Sequence, residues 1–257
     1  MALLRALRSL SAFVLLAAAF VLAGLLQRVF VWPLVTLWPR ALPPIMDAFM
    51  HRMSAVVLGL VVFGGARARR TGTVPTDGPV LILMNHQSLI DIPTAILMCW
   101  PHVPLFVARR RYARGIPMVS LMLRIRADPL VEPEADARGA LRALAEAARR
   151  QRHGLLVFPE GHRTEHGEVD EFATAGLKVM LRGRRVPVWL VVTDGFQGCR
   201  TIGDFVFNMH EVDGRTEVLG PYEAPAEDGE IRAFTERMRE EMIAHLRSWR
   251  QADDAGA

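Results

Sequence analysis

The chain has 257 residues, of which 51% are hydrophobic, 7% aromatic and 23% charged. This length is enough for one sizeable α/β domain with a membrane anchor, and the mean hydropathy of +0.19 is high for a soluble domain. The net charge of +4 favours anionic partners. With few aromatic residues and no RNA-binding motif, we expect a membrane surface and no nucleic acid. The two cysteines, Cys99 and Cys199, indicate neither a disulfide framework nor a zinc site.

The first apolar segment, residues 9–27, follows Arg5 and Arg8 and is close to the ~20 residues that span a bilayer. A secretory signal peptide has the same order of charged and apolar residues, but its apolar run has only ~7–15 residues. We therefore favour a retained anchor over a cleaved signal. Pro33 and Pro39, each preceded by a tryptophan, are expected to break the helix.

A second apolar segment, residues 55–65, is too short to span a membrane comfortably and is typical of a re-entrant, interfacial or buried helix. Arg67, Arg69 and Arg70 follow it, and such clusters favour the cytoplasmic side and anionic lipid. The sequence therefore predicts that residues 1–70 form a membrane-anchoring hairpin of a bacterial inner membrane, with the rest of the chain facing the cytoplasm. Two helices packed on a soluble domain remain the alternative interpretation.

Beyond residue 70, short apolar runs alternate with helical patterns. The runs that predict buried strands are residues 80–84, 103–108, 155–158 and 186–193, and the patterns that predict helices are residues 92–100, 136–152, 173–182 and 230–250. This alternation predicts an α/β domain, residues 71–251, with a largely parallel central sheet flanked by helices. We expect the last helix to pack on the core, with membrane-surface binding as the alternative. Residues 252–257 are predicted to be a disordered tail.

The sequence Asn-His-Gln-Ser-Leu-Ile-Asp occupies residues 85–91, directly after a predicted strand. In parallel α/β sheets, ligands bind at the carboxyl ends of the strands. A strand–turn–helix corner can bring His86 and Asp91 together, so that Asp91 fixes the tautomer and His86 accepts a proton from an attacking hydroxyl. Ser88 is not in a GxSxG elbow, so we expect no acyl-enzyme. Taken alone, the spacing also fits a capping aspartate beside a structural histidine.

The sequence Phe-Pro-Glu-Gly-His-Arg-Thr, residues 158–164, follows another predicted strand. We expect Glu160 and Arg163 to project from the same end of the sheet as His86. A guanidinium suits a phosphate or another anionic headgroup because it forms bidentate hydrogen bonds. Glu160 can hold a hydroxyl or orient that arginine. Taken alone, this segment also fits an ordinary turn with a solvated arginine.

The pattern NHxxxxD, followed about seventy residues later by FPEGxR, resembles the glycerolipid acyltransferase family, whose best-known members are the 1-acylglycerol-3-phosphate acyltransferases. The resemblance covers roughly residues 75–193. It implies His86 as general base and Asp91 as its partner. The residues that it implies for acceptor binding are Glu160, Gly161 and Arg163. It also implies an acyl-CoA or acyl-carrier-protein donor, a lysophospholipid acceptor taken from membrane lipid, and no metal or other cofactor.

Departures from the family pattern leave the acceptor open. The family's middle motif ends in an arginine that contacts acceptor phosphate, and here Arg124 or Arg126 is the candidate replacement. We place Arg126 and Asn85 among the substrate-binding residues. His162 stands where the family usually has threonine. Lysophosphatidic acid is the first choice of acceptor, and another lysophospholipid or lyso-ornithine lipid is the alternative.

A dense basic patch follows the second predicted strand. Its members are Arg109, Arg110, Arg111 and Arg114. It fits contact with the donor's phosphates or an acidic carrier protein, contact with anionic membrane, or a solvated face.

Two other functions compete with acyl transfer. A lipid esterase lacks support from any GxSxG motif or metal-ligand cluster, and a non-catalytic lipid-binding protein would not need His86.

Overall fold

The computed structural model describes residues 2–225 and 227–256. It begins with two helical arms, which we call the hairpin (residues 2–63). The first arm is α1, Ala2–Leu26, continued by a π-helical turn, Gln27–Val31, and by α2, Trp32–Leu37. The second arm is α3, Leu42–Phe63, and it runs antiparallel to α1, because Ser9 near the start of α1 bonds Gly64 just beyond the end of α3 (3.2 Å).

Both arms are longer than the sequence patterns predicted. Pro33 does not break the first arm. It follows the π-helical turn, in which the N–H of Trp32 bonds the carbonyl of Gln27, and the backbone is helical on both sides of it. The break comes at Trp38, which has extended backbone angles. The second arm, α3, has 22 residues. Its prolines lie in the first turn, where a helix tolerates them, so they begin the helix and do not break it. By length and composition, Leu3–Leu37 and Pro39–Phe63 could each cross a membrane.

The remainder of the described chain alternates strands and helices. The strands are β1, Arg67–Thr71; β2, Val74–Pro75; β3, Leu81–Met84; β4, Cys99–Trp100; β5, Leu105–Phe106; β6, Ala108–Arg109; β7, Leu130–Val131; β8, Leu155–Val157; β9, Pro187–Asp194; and β10, Asp213–Glu223. The helices are α4, Asp91–Met98; α5, Val119–Ile125; α6, Ala137–Arg150; α7, Thr174–Leu181; α8, Asp204–Phe207; and α9, Ile231–Gly256.

Six strands form the main sheet in the order β1-β10-β9-β3-β8-β5, and every neighbouring pair except β9–β10 is parallel. Two short parallel pairs, β2–β4 and β6–β7, lie outside it. The predicted α/β fold with a largely parallel sheet flanked by helices is therefore confirmed. Strand β3 lies at the centre, between β8 and β9, so the segment that follows it leaves from the middle of the sheet.

Side chains of β3 point alternately to the two faces of the sheet, and all four are buried. Leu81 and Leu83 pack with α6, α7 and α9 on one face. Ile82 and Met84 pack with α3 and α4 on the other, together with Met46 of the hairpin. The second arm of the hairpin is thus part of the packing of the domain.

Helix α9 packs on the core, as predicted. Its residues Ile231, Phe234, Met238, Met242 and Leu246 are all buried against the first face of the sheet. The helix continues to Gly256, so residues 252–256 are helical where the sequence predicted a disordered tail. The helical pattern in the sequence ends at residue 250 because no large apolar side chain follows Trp249. A helix can continue beyond such a side chain, since its backbone hydrogen bonds do not depend on it.

Candidate active site

Two motifs leave the sheet at the same edge. Strands β3 and β8 are parallel neighbours with Leu81 opposite Leu155, so residues 85–91 and 158–164 both begin at their carboxyl ends. The backbone N–H of Thr164 donates to the carbonyl of His86 at 2.8 Å, which ties the two segments together. The prediction that these segments meet at one end of the sheet is therefore correct.

His86 and Asp91 form a hydrogen-bonded pair. The imidazole Nδ1 lies 2.8 Å from Oδ2 of Asp91, and this same oxygen accepts backbone N–H bonds from Gln87 and Ser88, each at 2.7 Å. Asp91 is fully buried at the start of α4, whereas 14% of the His86 side chain is exposed. The phenyl ring of Phe158 stacks on the imidazole with 3.9 Å between centroids. These contacts hold the ring through Nδ1 and leave Nε2 without a hydrogen-bond partner among the described residues.

The carboxylate of Glu160 binds the backbone of the first motif and of the loop that follows the second. Its Oε1 accepts the N–H of His86 at 2.8 Å, and its Oε2 accepts the N–H of Asp170 at 3.0 Å. Burial raises the pKa of Glu160 to about 7, against the opposing effect of these two N–H donors. Because both oxygens already accept protein hydrogen bonds, the geometry favours a role for Glu160 in positioning His86 over direct acceptor binding.

Gly161 lets the turn close and exposes its carbonyl. Its φ of +74° lies in the left-handed region that glycine adopts without strain. The carbonyl of Gly161 accepts a hydrogen bond from Arg109 at 3.0 Å, and Arg109 also pairs with Glu134. Sequence reasoning placed Arg109 only in a general basic patch. In the sequence, the position of Arg109 directly after a predicted strand was the signal that it borders the site.

Arg163 lies half-buried beside the turn. One of its terminal nitrogens donates to the carbonyl of Arg200, in the loop after β9. Among the described residues, the other guanidinium nitrogens of Arg163 have no hydrogen-bond partner, so they remain able to bind an anion. Arg200 pairs with Glu165 at 2.7 Å.

Asn85 has a structural role, which corrects its placement among the substrate-binding residues. Its side chain is fully buried. Its amide nitrogen donates to the carbonyl of Thr193, and its amide oxygen accepts the N–H of Thr193, both at 2.8 Å. The amide therefore continues the β3–β9 hydrogen-bond ladder beyond the end of β3. An amide held on both sides by backbone is not directed at a ligand.

Arg126 is also corrected, because it lies at the opposite edge of the sheet. Its side chain is only 7% exposed, pairs with Asp128 at 3.2 Å and donates to the carbonyls of Val103 and Pro104. These carbonyls precede β5, which pairs with the first residues of β8, so they belong to the amino-terminal edge. Arg126 satisfies buried polar groups there, far from the residues that follow β3 and β8.

A further hydrogen-bond network holds Gln87, the residue after His86. Gln87 donates to Asp194 Oδ1 at 3.2 Å and to the carbonyl of Gly167 at 3.1 Å. Arg250 of α9 binds the same two groups, at 3.0 Å and 2.8 Å, and also pairs with Glu168. The hydrogen bond to Asp194 raises the pKa of Arg250. No local pattern in the sequence signals these contacts, since they join four distant segments.

The comparisons with known proteins agree with this geometry. The family model described as Acyltransferase matches residues 67–192, which include both motifs and strands β1 to β9 up to Val192. Residues 67–192 therefore form an acyltransferase domain. The resemblance to an acyltransferase family, inferred from the two motifs, is thus confirmed by this match.

The acyltransferase fold is also found among solved structures. The crystal structure of the 1-acyl-sn-glycerophosphate (LPA) acyltransferase PlsC from Thermotoga maritima has a TM-score of 0.63 with this chain, at 22% sequence identity. The similarity covers 91% of this chain and 95% of that one, so it extends to the hairpin. No curated protein sequence shows significant similarity to this acyltransferase.

Proposed function

We propose that this acyltransferase moves a fatty-acyl group from acyl-CoA or acyl-carrier protein to the free hydroxyl of 1-acylglycerol-3-phosphate, making phosphatidic acid. The observation that carries the proposal is the His86–Asp91 pair at the carboxyl edge of the sheet, with Nδ1 held by Asp91 and the imidazole partly exposed. A fixed imidazole of this kind is the general base that acyl transfer to an alcohol needs.

The reaction needs one proton relay and no protein nucleophile. Nε2 of His86 takes the proton of the acceptor hydroxyl as its oxygen attacks the thioester carbonyl, and Asp91 stabilises the resulting imidazolium. The carbon–sulfur bond then breaks, the ester is formed, and the departing thiolate receives the proton from His86. Ser88 does not serve as a nucleophile in this scheme, because it is fully buried and its hydroxyl donates to the carbonyl of Cys199.

The choice of acceptor rests on the basic groups beside His86. Arg163 is the first candidate for the acceptor's phosphate, and Arg109 lies on the other side of the Gly161 turn. Guanidinium groups suit a phosphate monoester because they bind it bidentately. Other lysophospholipids and lyso-ornithine lipid share the hydroxyl but differ in headgroup charge, so they are the alternatives that an acceptor panel must separate.

The hairpin is proposed to lie in one leaflet of the membrane without crossing it. Ala12 of α1 packs with residues of the loop after β9, and Gly24 of the same helix lies against Pro117 and Met118, about 18 Å further along. A helix that left the domain to cross a bilayer would not contact it at both of these points. We propose that the domain, residues 71–251, sits on the cytoplasmic face, with the hairpin within residues 1–70 as its anchor.

An acceptor panel tests the proposed reaction. Membranes containing the full chain, or its His86→Ala variant, would receive labelled oleoyl-CoA together with lysophosphatidic acid, several lysophospholipids or lyso-ornithine lipid, and the products would be resolved by mass. We expect phosphatidic acid as the dominant product that depends on His86. A parallel series with acyl-carrier-protein thioesters identifies the donor.

Other outcomes would change the proposal in defined ways. A dominant His86-dependent product from another acceptor would overturn the choice of lysophosphatidic acid and keep acyl transfer. Release of free fatty acid without any acceptor would favour the lipid esterase. Binding of lysolipid with no transfer from either donor class would favour a non-catalytic lipid-binding protein.

A further inference from the structure

Three large apolar side chains outside the hairpin are exposed in the described part of the chain, and all of them lie beside it. Trp100 is 63% exposed and meets the edge of His51 of α3, with 5.6 Å between ring centroids. Ile202 and Phe207 are 66% and 55% exposed and lie in the loop after β9, whose helix α8 packs against α1. Exposed apolar side chains on the catalytic domain are thus confined to the flanks of the hairpin.

The loop after β9 is anchored to α1 by its inward side chains. Phe205 and Met209 are buried in one cluster with Ala12 of α1. Phe13 and Leu16 of α1 pack against the same cluster. Because these contacts use the inner side of the loop, Ile202 and Phe207 are not needed to hold it in place.

The same loop contacts the catalytic corner at its other end. The carbonyl of Cys199 accepts a hydrogen bond from the hydroxyl of Ser88, and the carbonyl of Arg200 accepts one from Arg163. The N–H of Ser88 in turn donates to Asp91 at 2.7 Å. One short stretch of chain therefore joins an exposed apolar surface to groups that hold Asp91 and Arg163.

We propose that residues 200–207, the lipid-contact segment, insert Ile202 and Phe207 into the membrane surface beside α1 and hold Arg163 at the level of the lipid headgroups. The segment contacts the boundary between the headgroups and the acyl chains of a bilayer that contains anionic phospholipid. This inference rests on the membrane association proposed above for the hairpin.

The exposed apolar surface of the segment adjoins that of the hairpin, which indicates that both contact the membrane. On α1, Val14 and Leu15 next to the cluster are 57% and 49% exposed, so the apolar surface of the segment extends that of the helix. Arg200 is two residues before Ile202, and its carbonyl accepts a hydrogen bond from Arg163, so cationic groups adjoin the apolar segment, as they do in interfacial elements that bind anionic lipid.

Site-specific fluorescence tests the insertion without measuring activity. Because Cys99 and Cys199 are fully buried, a new surface cysteine can be labelled with the environment-sensitive dye NBD. Phe207→Cys reports the segment, Val14→Cys reports the hairpin, and Glu240→Cys, on the α9 side of the sheet, is the exposed control. Each labelled full-length protein would be mixed with vesicles of phosphatidylcholine and phosphatidylglycerol, with and without doxyl-labelled lipid.

We expect the Phe207 label to shift to shorter wavelength and to be quenched by doxyl lipid, as the Val14 label is, while the Glu240 label does not respond. Response at Val14 with none at Phe207 would overturn the inference and leave the hairpin as the anchor. Response at neither would contradict the membrane association itself. A shift at Phe207 without vesicles that grows with protein concentration would instead assign the surface to a second copy of the chain.

A matched pair of variants tests the consequence for catalysis. In Ile202→Ser/Phe207→Ser the apolar surface is lost, whereas Ile202→Val/Phe207→Leu keeps it. With lysolipid presented in vesicles, we expect about tenfold lower activity for the serine variant only. With a short-chain acceptor dissolved as monomers, both variants should match the unmodified protein. Equal loss on both substrates would mean that the segment acts only by holding the fold, and would contradict lipid contact.

Discussion

The side chains of the catalytic corner, residues 85–91, and those of the hairpin differ in their surroundings. At the corner, Asp91 and Asn85 are fully buried, and each is held by hydrogen bonds from the protein itself. On the hairpin, many large apolar side chains are exposed, among them Leu22 at 58% and Phe30 at 64%. Within the described residues, the fully buried amide of Gln27, in the π-helical turn, has no hydrogen-bond partner.

This difference indicates where each region obtains its stability. Buried polar groups cost free energy unless they are hydrogen-bonded, and most of those at the corner are paired within the folded chain. Oδ1 of Asp91 is buried with no partner among the described residues. Apolar surface of the extent exposed on the hairpin is stabilised only by something that covers it. Substitutions at the corner should therefore change catalysis or unfolding in any medium, whereas substitutions on the outer hairpin should matter only where lipid is present.

The largest effect is expected at His86. Removing the imidazole in His86→Ala should lower acyl transfer by about 10²- to 10⁴-fold, because the general base of the proposed reaction is lost. The turnover number, measured with saturating donor and acceptor, checks this. His162→Ala is the matched control, since His162 is 61% exposed and two residues beyond Glu160. Equal activities of the two variants would remove His86 from the mechanism.

The pH dependence of stability should reveal Glu160. Burial raises its pKa in the folded protein from 4.5 to about 7. Its contribution to the free energy of unfolding is therefore fully present below about pH 4.5 and is lost as the pH rises through 7. Relative to Glu160→Gln, the unmodified protein should lose about 3 kcal/mol across this interval. Denaturant titrations of both proteins at several pH values measure the difference, and parallel curves would contradict it.

Asn85 should behave as a structural residue. Asn85→Ala removes two hydrogen bonds and leaves the backbone groups of Thr193 unpaired, so the free energy of unfolding should fall by about 2–3 kcal/mol. The acceptor KM of the folded fraction should stay the same. Denaturant unfolding and steady-state kinetics below the unfolding temperature separate the two roles. A raised acceptor KM at unchanged stability would restore Asn85 to substrate binding.

The smallest effect on stability is expected on the outer hairpin. Val14→Ser should change the free energy of unfolding in detergent by less than about 0.5 kcal/mol, because Val14 is 57% exposed. The same substitution at Val61 of α3, which is fully buried, should cost about 2–3 kcal/mol. Partition into vesicles should weaken for Val14→Ser. A comparable loss of stability at both positions would show that the outer face of α1 packs on protein.

Element positions were largely predictable because their signals are local. The buried runs at residues 80–84 and 155–158 became β3 and β8 within a residue, and the helix predicted at 136–152 became α6, with Asp136 as its N-cap. The hairpin was less predictable. Proline was taken as a helix breaker, although it is tolerated in the first turn of a helix, as in α3, and directly after the π-helical turn of the first arm.

The sequence by itself determined the chemistry of this protein. A histidine and an aspartate five residues apart after one buried strand, and a second motif after another, together resemble an acyltransferase family, and this resemblance indicated acyl transfer at one edge of a parallel sheet. Both motifs are contiguous in the chain, so their internal geometry follows from a single strand–turn–helix corner.

Only the tertiary structure decided which neighbouring polar groups support that chemistry. Asn85 adjoins His86 in sequence but is bonded to β9, and Arg126 lies at the opposite edge of the sheet. Arg250, at the other end of the domain's sequence, binds the network behind Gln87. These assignments depend on strand register and on how α9 and the loop after β9 pack, and both are contacts between residues far apart in the chain, which no local pattern encodes.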